Sequence, residues 1–346
     1  MVPTAKRELV HAQDQWSITQ FCAALTNALA GSGPALGIGN ILSTSVSTDV
    51  ALVVTTSGST GTPKEIHLSA AAVTASAKAA NTFLKADAGN SWSLLLPLTH
   101  IAGINVLVRA LLLKSEVLDF RNNSQYTKAD FTAIVPTQLQ RALTADHQLL
   151  KHLQEAKAVL VGGAPLAESD KQSAHANGIN VITTYGMSET SGGCIYNGTP
   201  LDGVAVKIVE NIIYLRGPML AQVPLVDGWL KTADIGRLEN GKLAVFGRSD
   251  DQIISGGEKI SLSVIEQALS ENFESIFLAF AKPDQEWGER LCIATTLELS
   301  QDTISHFLKN RFGGYATPKE IHKVDEIPLI GIGKPDRAKL IERLAK

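Results

Sequence analysis

Short, continuous apolar runs alternate with stretches of helical spacing through the first half of the chain. The runs at 50–54, 91–96, 131–135, 158–161 and 180–184 read as strands buried on both faces. Between them, 69–86, 102–113, 137–143 and 166–176 carry the spacing of helices, and Ser69 stands where it would cap the first. Alternation of this kind predicts a largely parallel sheet covered by helices. From Val204 the pattern shortens. The segments 204–209, 212–216 and 242–246 read as antiparallel strands, with Glu239-Asn240-Gly241 as a tight turn. After Arg248-Ser249-Asp250-Asp251 a second unit begins: strand 252–254, helix 262–270, strands 275–281 and 291–297, helix 303–311. The expectation is an α/β protein with two domains. Residues 1–249 form a large domain of mostly parallel, helix-covered sheets plus a small β-barrel-like part; residues 250–346 form a small α+β domain.

Composition narrows the class of partner. The chain has 346 residues, 45% of them hydrophobic and 19% charged, with a net charge of −3. That balance gives no reason to expect nucleic acid or an anionic membrane. The longest apolar segment, 94–113, is interrupted by Pro97, His100, Gly103 and Arg109, which argues against a membrane span. Cys22, Cys194 and Cys292 lack metal-ligand spacing, and the first residues hold no apolar signal core, so a cytoplasmic location is expected.

The chemistry concentrates first at Thr55-Thr56-Ser57-Gly58-Ser59-Thr60-Gly61-Thr62-Pro63-Lys64, directly after the apolar run 50–54. Hydroxyls, backbone N–H groups freed by glycine and one cation at a strand end are what a polyphosphate needs. The spacing is not that of a P-loop phosphotransferase, and a polar surface turn is the plain alternative.

Six further segments follow in order: Leu96 to Gly103 around His100, Gly162-Gly163-Ala164-Pro165-Leu166, Tyr185-Gly186-Met187-Ser188-Glu189-Thr190, Gly228 to Gly236, Gly247 to Glu258, and Gly331-Ile332-Gly333-Lys334. Together with the first they resemble the acyl-adenylate-forming enzymes, the superfamily of acyl-CoA ligases, adenylation domains and luciferases. Gly192 to Val204 and Gly333-Lys334-Pro335-Asp336-Arg337 are most similar to its o-succinylbenzoate–CoA ligase group.

The resemblance implies a reaction in two halves. A small-molecule carboxylic acid attacks the α-phosphate of ATP, and the thiol of CoA then displaces AMP. It implies that Thr56, Ser57, Gly58, Ser59, Thr60, Gly61 and Lys64 cradle the β- and γ-phosphates. Glu189 would hold Mg2+ and Thr190 would reach the α-phosphate. Tyr185 and Gly186 would lie on one side of the adenine, with Gly162, Gly163 and Ala164 allowing close approach on the other. Asp234 would take the ribose hydroxyls, with Arg248 beside it. Lys334 would meet the reacting carboxylate and α-phosphate, and His100 would gate the acyl pocket. Gly256 and Gly257 would approach the pantetheine channel once the mobile small domain turns about Asp250.

Only about fifty residues precede the phosphate loop, so the resemblance also implies a shortened front whose exposed sheet needs a partner, a homodimer included. If the acid is o-succinylbenzoate, its second carboxylate needs a cation. Arg109, alone in an apolar helix with Asn105 one turn before it, is the candidate; a helix-edge arginine with a buried stem is the plain alternative. Another aryl, fatty or amino acid, or a silent ligand-binding relative, are the competing readings.

Overall fold

The computed structural model describes residues 6–13, 15–56, 64–123, 125–273, 275–330 and 334–344. β1 (Lys6–His11), α1 (Ile18–Ala30), β2 (Ala35–Ile38), β3 (Ser45–Ser47), β4 (Val50–Thr56) and β5 (Lys64–Ser69) come first, then α2 (Ala70–Leu84). The strands form one sheet in the order β3-β1-β2-β4-β5. β1, β2 and β4 run parallel, while β3 and β5 pair antiparallel at the edges. The apolar run on β4 is buried on both faces. Leu52 and Val54 join the large core shared with α1 and α2, whereas Val50 and Val53 join a small cluster with Leu9, Ala35, Ile41 and Val46. The bare sheet expected from a short front is therefore not found at this strand. Ser69 caps α2 as expected, its hydroxyl accepting the Ala72 N–H at 3.1 Å.

Arg7 fastens this front unit together. It is 9% exposed. Its guanidinium donates at short range to the carbonyls of Gly33 at 2.7 Å, Val50 at 2.9 Å and Ala28 at 2.8 Å, and at longer range to those of Asn27 and Pro34. Ala28 lies in the last turn of α1, where a cation meets the negative end of the helix dipole. One side chain thus ties β1, the end of α1 and the start of β4.

The second sheet contains β6 (Trp92–Leu94), β7 (Val117–Asp119), β8 (Phe131–Ile134), β9 (Ala158–Val161), β10 (Val181–Met187), β11 (Gly192–Tyr196) and β12 (Thr199–Pro200), with α3 (Ile101–Leu113), α4 (Pro136–Thr144), α5 (His147–Glu155) and α6 (Glu168–Ala176) between them. Its order is β12-β11-β10-β9-β8-β6-β7. The strands from β6 to β10 are parallel, as the alternation predicts, and β11 and β12 turn back antiparallel.

The barrel-like part is an open antiparallel meander of β13 (Ala205–Val209), β14 (Ile212–Arg216), β15 (Leu230–Glu239) and β16 (Lys242–Arg248). Asn240 and Gly241, both with positive φ, make the two-residue turn between its last two strands. The remaining residues form β17 (Gln252–Ser255), β18 (Glu258–Ser261), α7 (Leu262–Phe273), β19 (Phe277–Asp284), β20 (Gly288–Thr295), α8 (Gln301–Phe312), β21 (Glu320–Lys323), a ribbon of β22 (Leu329–Ile330) and β23 (Lys334–Pro335), and α9 (Arg337–Leu344). Among the described residues, no cluster of buried core side chains draws members from both sides of residue 250. Nor, among them, is any helix long and apolar enough to cross a membrane.

Arg7→Met is expected to lower the stability of the front unit by about 3 kcal/mol, because the buried Val50 and Ala28 carbonyls and the part-buried Gly33 carbonyl lose a charged donor. Urea unfolding followed by tryptophan fluorescence checks this; an unchanged midpoint would show that Arg7 fastens nothing.

Candidate active site

The turn after β9, the parallel neighbour of β10, lies against the next residue of β10. Gly163 has φ +86°, and a Cβ on Gly162 would run into the Thr184 hydroxyl and stand 3.1 Å from the Thr184 carbonyl oxygen. Only a residue without a side chain lets this turn lie directly on β10. Gly186 is tighter still. The pairing of β10 with β11 shifts between Tyr185 and Gly186, and a Cβ there would run into the Gly192 carbonyl oxygen and lie 2.7 Å from Gly193 Cα. This close approach directs the chain into a single 3-10 turn, Ser188–Thr190, which ends at Ser191 in the left-handed conformation (φ +51°).

That turn separates two functions. Thr190 is completely buried: its hydroxyl accepts the Met187 N–H at 2.8 Å and donates to the Gly192 carbonyl at 2.7 Å. In this arrangement it braces the turn and presents no surface to a phosphate, which differs from the contact the resemblance implies. Glu189 is half-buried, and its carboxylate makes no hydrogen bond or ion pair among the described residues. Its backbone carbonyl accepts from Ala221 N at 2.8 Å, so the residue is anchored while its carboxylate has no partner among the described residues. A hard, free oxygen donor on a fixed turn fits Mg2+, which takes one or two carboxylates and completes its shell with phosphate and water.

Asp234 joins this sheet to the meander. It is 7% exposed. One carboxylate oxygen accepts the Tyr185 hydroxyl at 2.6 Å, and the other faces Arg248 Nη1 at 3.3 Å. Burial first, and then the Asp234 charge, push the Tyr185 phenol above its usual range, so it stays a donor. The remaining arm of Arg248 grips Asp250 through two bonds, 2.7 and 2.6 Å, and that pairing holds the guanidinium above its ordinary value. Tyr185, Asp234 and Arg248, expected at the nucleoside end of the site, therefore meet in one hydrogen-bonded chain.

The other expected residues are distributed around it. Thr56 and Lys64 stand opposite each other at the ends of β4 and β5, whereas Ser57, Gly58, Ser59, Thr60 and Gly61 lie outside the described residues. Ala164 follows the glycine turn. His100 immediately precedes α3 as its N-cap residue. Gly256 and Gly257, with φ +60° and +86°, form the two-residue turn between β17 and β18, and a Cβ on Gly256 would strike the Trp287 ring at 2.7 Å. Both glycines are thus required by the turn itself. Lys334 opens β23, opposite Ile330; its side chain lies outside the described part of the structure.

Arg109 differs from the helix-edge arrangement. It is only 4% exposed, head group included, and has no carboxylate partner among the described residues. Nη2 donates to the Tyr196 hydroxyl at 3.0 Å, the guanidinium lies 5.3 Å from the Trp92 ring centre, and the buried Nε has no acceptor. One turn earlier Asn105 donates to the Ser191 carbonyl at 2.7 Å, while its own buried oxygen is unpaired. The polar stripe of α3 thus abuts the chain directly after Glu189 and Thr190. Ser191 and Tyr196 were not singled out in sequence; the adjacent motif was the only local signal, since their partners lie far away along the chain.

The chain belongs to a family of adenylate-forming enzymes. Residues 8–217 match the family described as AMP-binding enzyme, and residues 275–334 match AMP-binding enzyme C-terminal domain. A relative named "Probable 2-succinylbenzoate–CoA ligase" from Mycobacterium tuberculosis is 37% identical over 368 aligned positions, covering 93% of this chain and 94% of that protein. Among solved structures, a variant of E. coli MenE with bound OSB-AMS is 25% identical with a TM-score of 0.75, covering 96% of this chain and 81% of that one. The O-succinylbenzoate coenzyme A synthetase of Bacillus subtilis, in complex with ATP and magnesium ion, is 21% identical and shares the fold, with a TM-score of 0.74 over 92% of this chain and 82% of that one.

Gly186→Ala is expected to force β10 and β11 apart at a cost of about 2 kcal/mol or more, and to weaken ATP binding with it. Calorimetric ATP titration beside a denaturation curve checks both. Wild-type values for the two would mean that the close approach is unimportant.

Proposed function

We propose that the chain is an AMP-forming ligase that joins 2-succinylbenzoate to CoA. The succinyl carboxylate attacks the α-phosphate of ATP and expels pyrophosphate; the CoA thiol then attacks the acyl-adenylate and releases AMP. Thr56 and Lys64, with Ser57 to Gly61 between them, take the leaving pyrophosphate. Glu189 would hold Mg2+, which would supply positive charge where negative charge builds on the phosphates. Asp234 takes the ribose hydroxyls, with Tyr185 orienting its carboxylate and Arg248 balancing its charge. Lys334, on the small domain, meets the reacting oxygens. Residues 250–346 reorient about Asp250 between the two halves, as the separate cores on either side of residue 250 would permit.

The observation that carries the choice of acid is the state of Arg109. A buried guanidinium without a counter-charge costs several kcal/mol, and a tyrosine hydroxyl and a tryptophan face offset only part of that. A carboxylate from the substrate would complete it. Arg109 lies on the helix whose Asn105 holds Ser191, two residues from Glu189, so it stands near the turn on which the adenylate would form. An acid with two carboxylates uses such a cation for the one that does not react. A silent ligand-binding relative would have no use for the uncommitted Glu189 carboxylate.

CoA-dependent AMP formation should be fast with 2-succinylbenzoate and slow with benzoate or a medium-chain fatty acid. In Arg109→Met the KM for 2-succinylbenzoate should rise about 10- to 100-fold, the worth of a charged hydrogen-bonded pair, while the KM for ATP stays put. Arg109→Lys should recover only part, because a point charge cannot replace the planar fork. Equal use of benzoate by the wild type would contradict the dicarboxylic acid.

A further inference from the structure

The two aspartates of the interdomain linker are held from opposite sides. Asp250 is gripped by Arg248, whose third nitrogen reaches Asp234 in the large domain. Asp251 is gripped by Arg337 and by the Ser263 N–H at 3.0 Å, both beyond the linker. Within one short 3-10 turn, Ser249–Asp251, Asp250 thus bonds back to Arg248 while Asp251 bonds forward to Ser263 and Arg337.

Arg337 uses every nitrogen of its guanidinium. Nη1 bonds Asp251, Nη2 bonds Glu266 on α7 at 2.7 Å, and Nε donates to the Ala279 carbonyl on β19 at 2.7 Å. Glu266 closes the ring by accepting the Ala279 N–H at 2.8 Å. Arg337 is also the first residue of α9, three residues after Lys334, and the junction between them is fixed by the Asp336 N–H bonding Pro328 at 2.7 Å. One cation therefore connects the linker, α7, β19 and the strand that carries Lys334. With two carboxylates on a planar fork, the geometry is of the kind that holds position as well as charge.

We propose that Arg337 is a positioning residue: by bonding Asp251 it makes the strand bearing Lys334 rigid with the first residue of the small domain, so that rotation at the linker delivers Lys334 in one fixed register. Arg337 touches no substrate in this scheme. The inference rests on the adenylation chemistry proposed above. It assigns to Arg337 a role in the first half-reaction and none in the second.

The test measures acid-dependent ATP–pyrophosphate exchange and, separately, CoA-dependent consumption of preformed acyl-adenylate, each with a thermal melt. Arg337→Ala should slow exchange about 10- to 100-fold, the loss an ångström-scale displacement causes, at an unchanged KM for ATP, with acyl-adenylate consumption nearly intact. Arg337→Lys should restore exchange in part. Should Arg337→Ala fail to fold, Asp251→Asn cuts the same bond from the linker side and should give the same split. Equal loss of both half-reactions in step with the melting temperature, or no loss at all, would overturn the proposal. Absence of exchange in the wild type with every acid would instead overturn the adenylation reading on which it stands.

Discussion

The buried carboxylate of Asp234 is the constraint on which the site depends. At 7% exposure an unpaired anion would be costly, so its two oxygens must be satisfied, and each partner comes from a different part of the chain. Tyr185 comes from the second sheet and Arg248 from the end of the meander. Satisfying one charge therefore fixes β10 against β15 and β16. Because Arg248 has fingers left over for Asp250, the same charge also reaches the linker. The proposed nucleotide site and the proposed hinge thus share one hydrogen-bonded chain.

The rest of the site is built from close backbone approach. β10 can pass from Tyr185 to the Glu189 turn only because Gly186 lets β11 lie against it, and Thr190 then spends its hydroxyl on keeping that turn closed. The outcome is a rigid frame in which, among the described residues, the Glu189 carboxylate has no partner and the Arg109 Nε has no acceptor. Rigid surroundings are what give such groups their value, since a preorganised charge need not move when the reaction's charge develops. Chemistry that needs one cation near a phosphate and another near a second carboxylate fits that frame.

Much of this was legible in sequence, and the remainder failed for identifiable reasons. Parallel strands with continuous apolar runs, such as 131–135 and 158–161, announced themselves because both faces are buried. The cap at Ser69 and the turn at Asn240-Gly241 were local chemistry. β15 was not seen as a strand, because Lys231, Asp234 and Arg237 interrupt its apolar pattern. β5 alternates, but it follows directly on the hydroxyl- and glycine-rich motif at 55–64 and was absorbed into that motif. The first strand, Lys6–His11, is polar on its outer positions and was not seen as a strand, so Arg7, the clasp of the front unit, was not singled out. Arg109 was the hardest. Its burial depends on Tyr196, 87 residues away, and no local pattern encodes such a meeting.

The most direct measurement is ATP–pyrophosphate exchange by the purified chain, with magnesium and 2-succinylbenzoate but without CoA. The account requires robust exchange that disappears when the acid is withheld and is not supported by benzoate, since adenylation precedes and does not need the thiol. Exchange that demands CoA, or that proceeds equally with benzoate, would contradict it.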